Sequence, residues 1–211
     1  GSFLLSMPRW FWYDTTNPAF QFAERSAWIP SIGTEYFLGV DGFSALLILL
    51  TTLIGLLAIV SSGAAIAGRV KAFYIVVLVL QAGMLGALMA LDSLLFFLFF
   101  EVMLVSMYFL INIWGGTNRF RSAIPFILGA LAGSAVTLGG ILTLYFYSHS
   151  ATGVYSFDVT RLYALSIPFD VQWRAFLALF VGFAIAVTLF PLHAWLADAD
   201  ADAPAAREKV S

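Results

Sequence analysis

Residues 93–114 have the sequence SLLFFLFFEVMLVSMYFLINIW, and this stretch decides the fold class of the chain. It is apolar for almost its whole length, and a helix of about 20 such residues crosses a hydrocarbon core about 30 Å thick. Asp92, just before it, marks a tight turn from the preceding apolar run. One carboxylate, Glu101, interrupts the stretch. We therefore predict a transmembrane helix that carries an acid inside the membrane.

The composition extends this prediction to all 211 residues, of which 62% are hydrophobic and 10% are charged. Soluble domains are about half apolar and about a quarter charged. The chain has no cysteine, which excludes disulfides, thiolate metal sites and cysteine nucleophiles. A formal net charge of -2 argues against a nucleic-acid partner. The composition therefore indicates a polytopic helical membrane protein.

The apolar runs predict an all-α, polytopic transmembrane helical bundle with about five full spans. A single transmembrane domain would cover residues 1–211. The spans are predicted at residues 43–62, 72–91, 93–114, 122–147 and 173–190. Residues 1–13 are interpreted as an N-terminal helix stub or an interfacial segment. Residues 14–42 and 148–172 are interpreted as polar loops, and residues 191–211 as a C-terminal tail.

The distribution of Lys and Arg predicts the orientation, because cytoplasmic loops are richer in these residues. One side of the membrane would hold six of them, at Arg69, Lys71, Arg119, Arg121, Arg207 and Lys209. The other side would hold four, at Arg9, Arg25, Arg161 and Arg174. We therefore expect an integral protein of the bacterial cytoplasmic membrane or its equivalent. Its two polar loops would lie outside, and its C-terminal tail in the cytoplasm.

Glu101 is the first candidate site residue. It lies about eight residues into its span, which at 1.5 Å per residue is about 12 Å from the end. An acid at that depth costs about 2.5–3.5 kcal/mol on insertion scales, so it must be protonated, paired or turned to a wet interior. Tyr108 and Asn112, at i+7 and i+11, extend a polar stripe along the same helix. The residues fit a proton-handling site, or a neutral acid that hydrogen-bonds a neighbouring helix.

A proton relay normally needs a partner such as Lys or His at similar depth. Of the two histidines, His149 lies in a predicted loop and His193 lies at the end of the last span. His193 is interpreted as an interfacial anchor or as a further proton-handling group. Asp198, Asp200 and Asp202 lack the glycine turn and the distal Glu of a calcium loop, so no metal site is predicted.

The fourth span predicts a helix-packing face. Gly129 and Gly133 form a GxxxG pair, and Ala135 with Gly139 continues it. Small residues at this spacing let membrane helices approach closely. The face could contact another helix of this chain or a partner chain, and the spacing leaves both open.

Four segments of the chain resemble one family of membrane subunits. They are LGVDGFSALLILLTTLIGLLAIVSS, SLLFFLFFEVMLVSMYFLINIWGG, SHSATGVYSFD and FPLHAWLADADADAPAA. They are similar to the antiporter-like subunit M (chain 4) of NADH:quinone oxidoreductase, respiratory complex I. The resemblance covers almost the whole chain. It implies a helical subunit that moves protons across the membrane, driven by quinone chemistry elsewhere in the complex. It implies no cofactor and no redox or hydrolytic site in this chain.

The resemblance also bears on the candidate site. Glu101 matches the family's buried glutamate, which pairs with a lysine just before the FPLH motif. Ala186 occupies that lysine position in this chain. Other departures from the family pattern lie at Ser106, Ile124, Pro125, Thr188, Ala197 and Asp200. The departures fall on the parts that transfer protons in the family.

Two functions follow from the resemblance. The first is a truncated subunit M-like protein that acts mainly as a structural, accessory subunit of a larger respiratory or photosynthetic membrane complex. The second is a proton-translocating subunit completed by other chains. Both imply integral membrane subunits and lipids as partners, and neither implies a free monomer. The missing lysine favours the first, in which Glu101 is protonated and hydrogen-bonded.

Overall fold

The computed structural model describes residues 20–63, 66, 68–115 and 119–186, without the side chains of residues 119–122. The predicted helix stub, the C-terminal tail and His193 lie outside this part of the chain.

Among the described residues, five helices are long and apolar enough to cross a membrane. They are α1 (Gly42–Ser62), α2 (Val70–Met89), α3 (Ser93–Trp114), α4 (Arg119–Thr152) and α6 (Phe169–Ala186). A short helix, α5 (Val159–Tyr163), precedes the last of them. The prediction of a polytopic transmembrane bundle with five full spans is therefore confirmed.

Residues 21–40 form an antiparallel β-hairpin in a region that the sequence predicted as a polar loop. Its strands are β1 (Gln21–Ile29) and β2 (Thr34–Val40). Gly33 makes the turn at φ +71°, and a β-carbon there would lie 2.1 Å from the carbonyl oxygen of Tyr155. The hairpin was missed because β1 is exposed on both faces, so no alternation of apolar and polar residues marks it.

The spans contact one another mainly in chain order. α1 packs on α2, α2 on α3, α3 on α4, and α4 on α6. α1 is the least covered of the five, and most of its leucines are exposed, as lipid-facing residues are. This arrangement places α3, with Glu101, between α2 and α4.

Three loops meet on one side of the spans and form a structure that we call the loop cap. It consists of residues 20–41, 90–92 and 153–163. The backbone N–H of Leu91 donates to the carbonyl oxygen of Phe37 at 2.9 Å, and the N–H of Val159 donates to the carbonyl oxygen of Leu91 at 3.0 Å. The turn between α2 and α3 is therefore held from both sides by backbone hydrogen bonds.

Arg25 joins the hairpin to the rest of the loop cap. Its guanidinium pairs with Glu35 and, at 2.9 Å, with Asp158. It also lies over the ring of Phe37, 4.6 Å from the centroid. Asp158 is 2% exposed and pairs in addition with Arg161 at 3.4 Å. Carboxylates therefore balance both arginines of the loop cap.

Asp92 is the N-cap of α3. One carboxylate oxygen accepts the backbone N–H groups of Leu94 and Leu95, each at 3.0 Å. The other accepts the backbone N–H of Glu35 at 3.0 Å. Asp92 is 1% exposed, and this burial raises the pKa of its carboxyl group. A single side chain thus sets the start of α3 and attaches it to the hairpin.

Replacing Asp92 with Ala should lower the free energy of unfolding by about 0.5–2 kcal/mol, the usual cost of losing an N-cap. Asp41→Ala is the matched comparison. Asp41 caps α1, and the backbone N–H of Ser44, 2.7 Å away, lowers the pKa of its carboxyl group. Thermal unfolding in detergent, followed by circular dichroism, measures both effects.

The two variants should respond to pH in opposite directions. Because the native pKa of Asp92 is raised, the native chain binds a proton there before the unfolded chain does as the pH falls. The difference in the free energy of unfolding between the wild type and Asp92→Ala therefore increases as the pH falls through that native pKa. Because the native pKa of Asp41 is lowered, its contribution is present above its unfolded pKa and is lost as the pH falls through the native pKa. The same pH dependence for both variants would contradict this account.

Candidate functional site

Glu101 is the ninth residue of α3, and its side chain is half-buried. At 1.5 Å per residue it lies about 13 Å from Asp92 and about 20 Å from Trp114, where the helix ends. The indole N–H of Trp114 donates to the carbonyl oxygen of Gly68 at 3.0 Å, which holds that end of α3 to the loop between α1 and α2. The carboxyl group is therefore well inside the span from both ends.

The hydrogen-bond partner of Glu101 is Ser134 of α4. The Ser134 hydroxyl donates to Oε1 of Glu101. Ser134 is 6% exposed, so this hydrogen bond lies inside the contact between α3 and α4. The sequence left two interpretations open, a proton-handling site and a neutral acid that hydrogen-bonds a neighbouring helix. The structure contains the hydrogen bond that the second interpretation requires.

An apolar cluster joins the same two helices. Phe100 and Leu104 of α3 form a buried cluster with Phe126 and Ala130 of α4. Ala186 of α6 packs against the same cluster. The described end of α6 therefore adds an apolar side chain to this cluster.

Two of the predicted site residues, Tyr108 and Asn112, share α3 with Glu101 and are half-buried. The helical rise separates them from Glu101 by about 10 and 16 Å along the axis. Tyr108 packs against the apolar cluster. Among the described residues, Ser134 contacts the carboxyl group of Glu101. Tyr108 and Asn112 do not. Their role in proton handling stays a prediction, as does that of His193.

Cationic side chains in the described parts of the spans lie near the helix ends. Lys71 is the second residue of α2, and His149 lies in the last turn of α4. Arg174 lies in the second turn of α6 and pairs with Asp170 at 2.8 Å. Within the described residues, therefore, no Lys, Arg or His shares the depth of Glu101.

The small residues of α4 divide between two faces. Gly133 is buried against α6, where a β-carbon would lie 2.8 Å from the carbonyl oxygen of Gly182. Gly129 is half-buried. Ala135 and Gly139 are exposed, and a β-carbon at Gly139 would meet nothing within 4 Å. Gly133 therefore packs within this chain, while a packing role for Ala135 and Gly139 stays a prediction.

Sequence reasoning missed buried polar residues in the spans, among them Ser134 and Gln81. Ser134 stands in a run of small residues, and its spacing does not show which helix its hydroxyl faces. Gln81 of α2 is 6% exposed, and a β-carbon at Gly55 of α1 would lie 2.6 Å from its amide nitrogen. A buried amide opposite a glycine is a recognisable signal, but only once the pairing of the two helices is known.

Comparison with known proteins identifies the class. The family model described as "NADH:quinone oxidoreductase/Mrp antiporter, TM" matches residues 90–208, more than half of the chain. NADH-quinone oxidoreductase subunit M of Rickettsia conorii is 38% identical over 194 residues, which are 91% of this chain and 38% of that protein. NAD(P)H-quinone oxidoreductase chain 4 of Gloeobacter violaceus is 40% identical over 193 residues, covering 92% of this chain and 36% of that protein.

Solved structures give the same result. A chain of respiratory complex I from Thermus thermophilus has a TM-score of 0.79 and 30% identity, covering 96% of this chain and 41% of that chain. A chain of an archaeal membrane-bound sulfane sulfur reductase has a TM-score of 0.77 and 25% identity. A chain of the Mrp complex from Dietzia has 23% identity and a TM-score of 0.71, a likeness of fold alone. The chain spans about two-fifths of the length of the relatives it matches.

Five apolar spans, a carboxyl group at mid-membrane depth and these similarities define an antiporter-like integral membrane subunit. The family resemblance seen in the sequence is thereby confirmed. The chain belongs to the NADH:quinone oxidoreductase/Mrp antiporter family.

Replacing Gly182 with Ala should separate α4 from α6, because the new methyl group would lie 2.1 Å from Oγ1 of Thr137 and 2.8 Å from the carbonyl oxygen of Gly133. Overpacking of this kind costs about 1–3 kcal/mol. Gly139→Ala, on the open face of α4, is the matched control and should not destabilise the chain. The midpoint of thermal unfolding in detergent measures both. Equal midpoints for the two variants would show that the α4–α6 contact is looser than described.

Proposed function

We propose that this chain is a structural, accessory subunit in the membrane part of a multi-subunit complex of the NADH:quinone oxidoreductase or Mrp type. In this proposal it does not translocate protons by itself. The other integral membrane subunits of the complex are its partners, together with lipids, and they cover apolar faces such as that of α1.

The hydrogen bond between Ser134 and Glu101 is the observation that carries the proposal. In the family that the sequence resembles, a lysine stands at the position of Ala186. In this chain Ala186 packs its methyl group on the apolar cluster instead. A carboxylate without a cation is costly at this depth. Glu101 is therefore expected to be neutral, and a neutral acid bonded to a hydroxyl fits a structural link between α3 and α4.

Retention of Glu101 supports a second candidate function. Its side chain is only half-buried by the described residues, which leaves room for a further contact. A cation from another chain, or from outside the described residues, would complete an ion pair there. The chain would then contribute one half of a proton-transfer site.

Replacing Glu101 with Gln separates these two functions. Gln keeps an oxygen that can accept the Ser134 hydroxyl, but it cannot carry a proton. The accessory role predicts that the native complex assembles normally and moves the same number of protons per NADH oxidised. The measurements are native gel electrophoresis, and proton uptake by membrane vesicles with a pH-sensitive dye.

The comparison variant is Glu101→Leu, which removes the acceptor as well as the proton site. It should lower the amount of assembled complex while leaving proton uptake per assembled complex unchanged. A loss of proton uptake in Glu101→Gln with normal assembly would instead establish the second function.

The orientation is part of the proposal, with the loop cap outside and the loop between α1 and α2 in the cytoplasm. The chain has no native cysteine, so single cysteines report on sidedness without background. Ser26→Cys lies on the exposed face of the hairpin, and Gly68→Cys lies in the exposed loop before α2. A membrane-impermeant maleimide should label the first in intact cells and the second only after permeabilisation. The reverse pattern would invert the topology.

A further inference from the structure

Hydroxyl groups in the described spans mostly bond to their own helix. Thr52 donates to the carbonyl oxygen of Leu49 at 2.9 Å, and Ser106 donates to that of Val102 at 2.7 Å. Ser61, Ser62 and Thr143 make the same kind of bond to a carbonyl oxygen three or four residues earlier. This is the usual arrangement for Ser and Thr in membrane helices.

Ser134 departs from that arrangement. Its hydroxyl donates to a side chain of another helix, the carboxyl group of Glu101. Its neighbour Gly133 lies in close contact with α6, where a β-carbon would be 3.2 Å from Cβ of Ile185. The backbone of α4 is therefore confined on the α6 side at the residue before Ser134, while Ser134 itself faces α3.

From this geometry we infer that Ser134 is the positioning residue of Glu101. Its hydroxyl holds Oε1 within the α3–α4 contact and stands in for the cation that the family places opposite the glutamate. The inference deepens the proposed function and rests on it in one respect, namely that Glu101 keeps its proton. Ser134 then donates to the carbonyl oxygen of a neutral carboxyl group. Because the Ser hydroxyl is neutral, it orients this acid without placing a charge beside it.

The stretching frequency of the Glu101 carboxyl group tests the inference directly, because a hydrogen bond to a carbonyl oxygen lowers that frequency. The sample is the full chain, with the subunits that co-purify with it, in lipid nanodiscs. Infrared spectra of the wild type and of Glu101→Gln assign the band by difference. Ser134→Ala should shift the assigned band to higher wavenumber.

Thr137→Val is the matched control. Thr137 lies one turn further along α4, is 0% exposed, and its hydroxyl has no hydrogen-bond partner in the described structure. Removing that hydroxyl should leave the band where it is. Ser134→Cys provides a graded variant that keeps the side chain in place, because a thiol is a weaker donor than a hydroxyl. It should shift the band in the same direction as Ser134→Ala but by less.

An unmoved band in Ser134→Ala, or an equal shift in Thr137→Val, would overturn the assignment of Ser134. The proposed function would be overturned by another observation, made on Glu101→Gln. If Glu101→Gln removes a pair of carboxylate bands and no carboxylic acid band, then Glu101 is ionised and a cation is present. Ser134 would still be its positioning residue if Ser134→Ala shifts those carboxylate bands while Thr137→Val does not.

Discussion

The interior of a membrane offers polar groups no water, so a polar group without a partner in the protein is costly there. Three classes of contact in this chain follow from that constraint. Hydroxyls such as those of Ser106 and Thr143 bond to the preceding turn of their own helix. Glu101 accepts a hydrogen bond from Ser134 of the neighbouring helix. Groups at the ends of the spans are satisfied in the loop cap, where Asp92 alone accepts three backbone N–H groups.

The same constraint bears on the proposed function, in which a hydroxyl and not a cation faces Glu101. An ammonium group opposite a glutamate stabilises the carboxylate and gives up or takes a proton as the pair separates. A hydroxyl orients the acid and carries no charge of its own. On the proposed function, the described part of this chain thus keeps the architecture of a proton-transfer site while lacking the group that would drive the transfer. On that proposal Ala186, at the position that the resemblance assigns to the lysine, packs against the apolar cluster instead.

The features that the sequence predicted are those set by local chemistry. A run of about 20 apolar residues needs no partner to be recognised as a span. Asp92, at the start of such a run, marked the turn that it caps. The partner of Glu101 could not be predicted in this way, because it depends on how α4 is rotated against α3. Ser134 and Ala135 are adjacent in the sequence, yet the first is buried and the second exposed. The hairpin was missed for a related reason, since its strands are stabilised by each other and by distant loops.

The loop cap also has a consequence for the order in which the chain assembles in the membrane. Arg25 and Asp158 are separated by 133 residues. Chains fold progressively from the N-terminus as they are synthesised. The hairpin and the turn at residues 90–92 are thus synthesised before α4. Residues 153–163 reach the same side of the membrane, and can contact them, only after α4 has crossed. Closure of the loop cap therefore reports that four spans have been inserted in the right sense. Until then Arg25 lacks its contact with Asp158, and the backbone N–H of Ser93 lacks the carbonyl oxygen of Phe157, so a chain with a misinserted span would leave both groups without these partners.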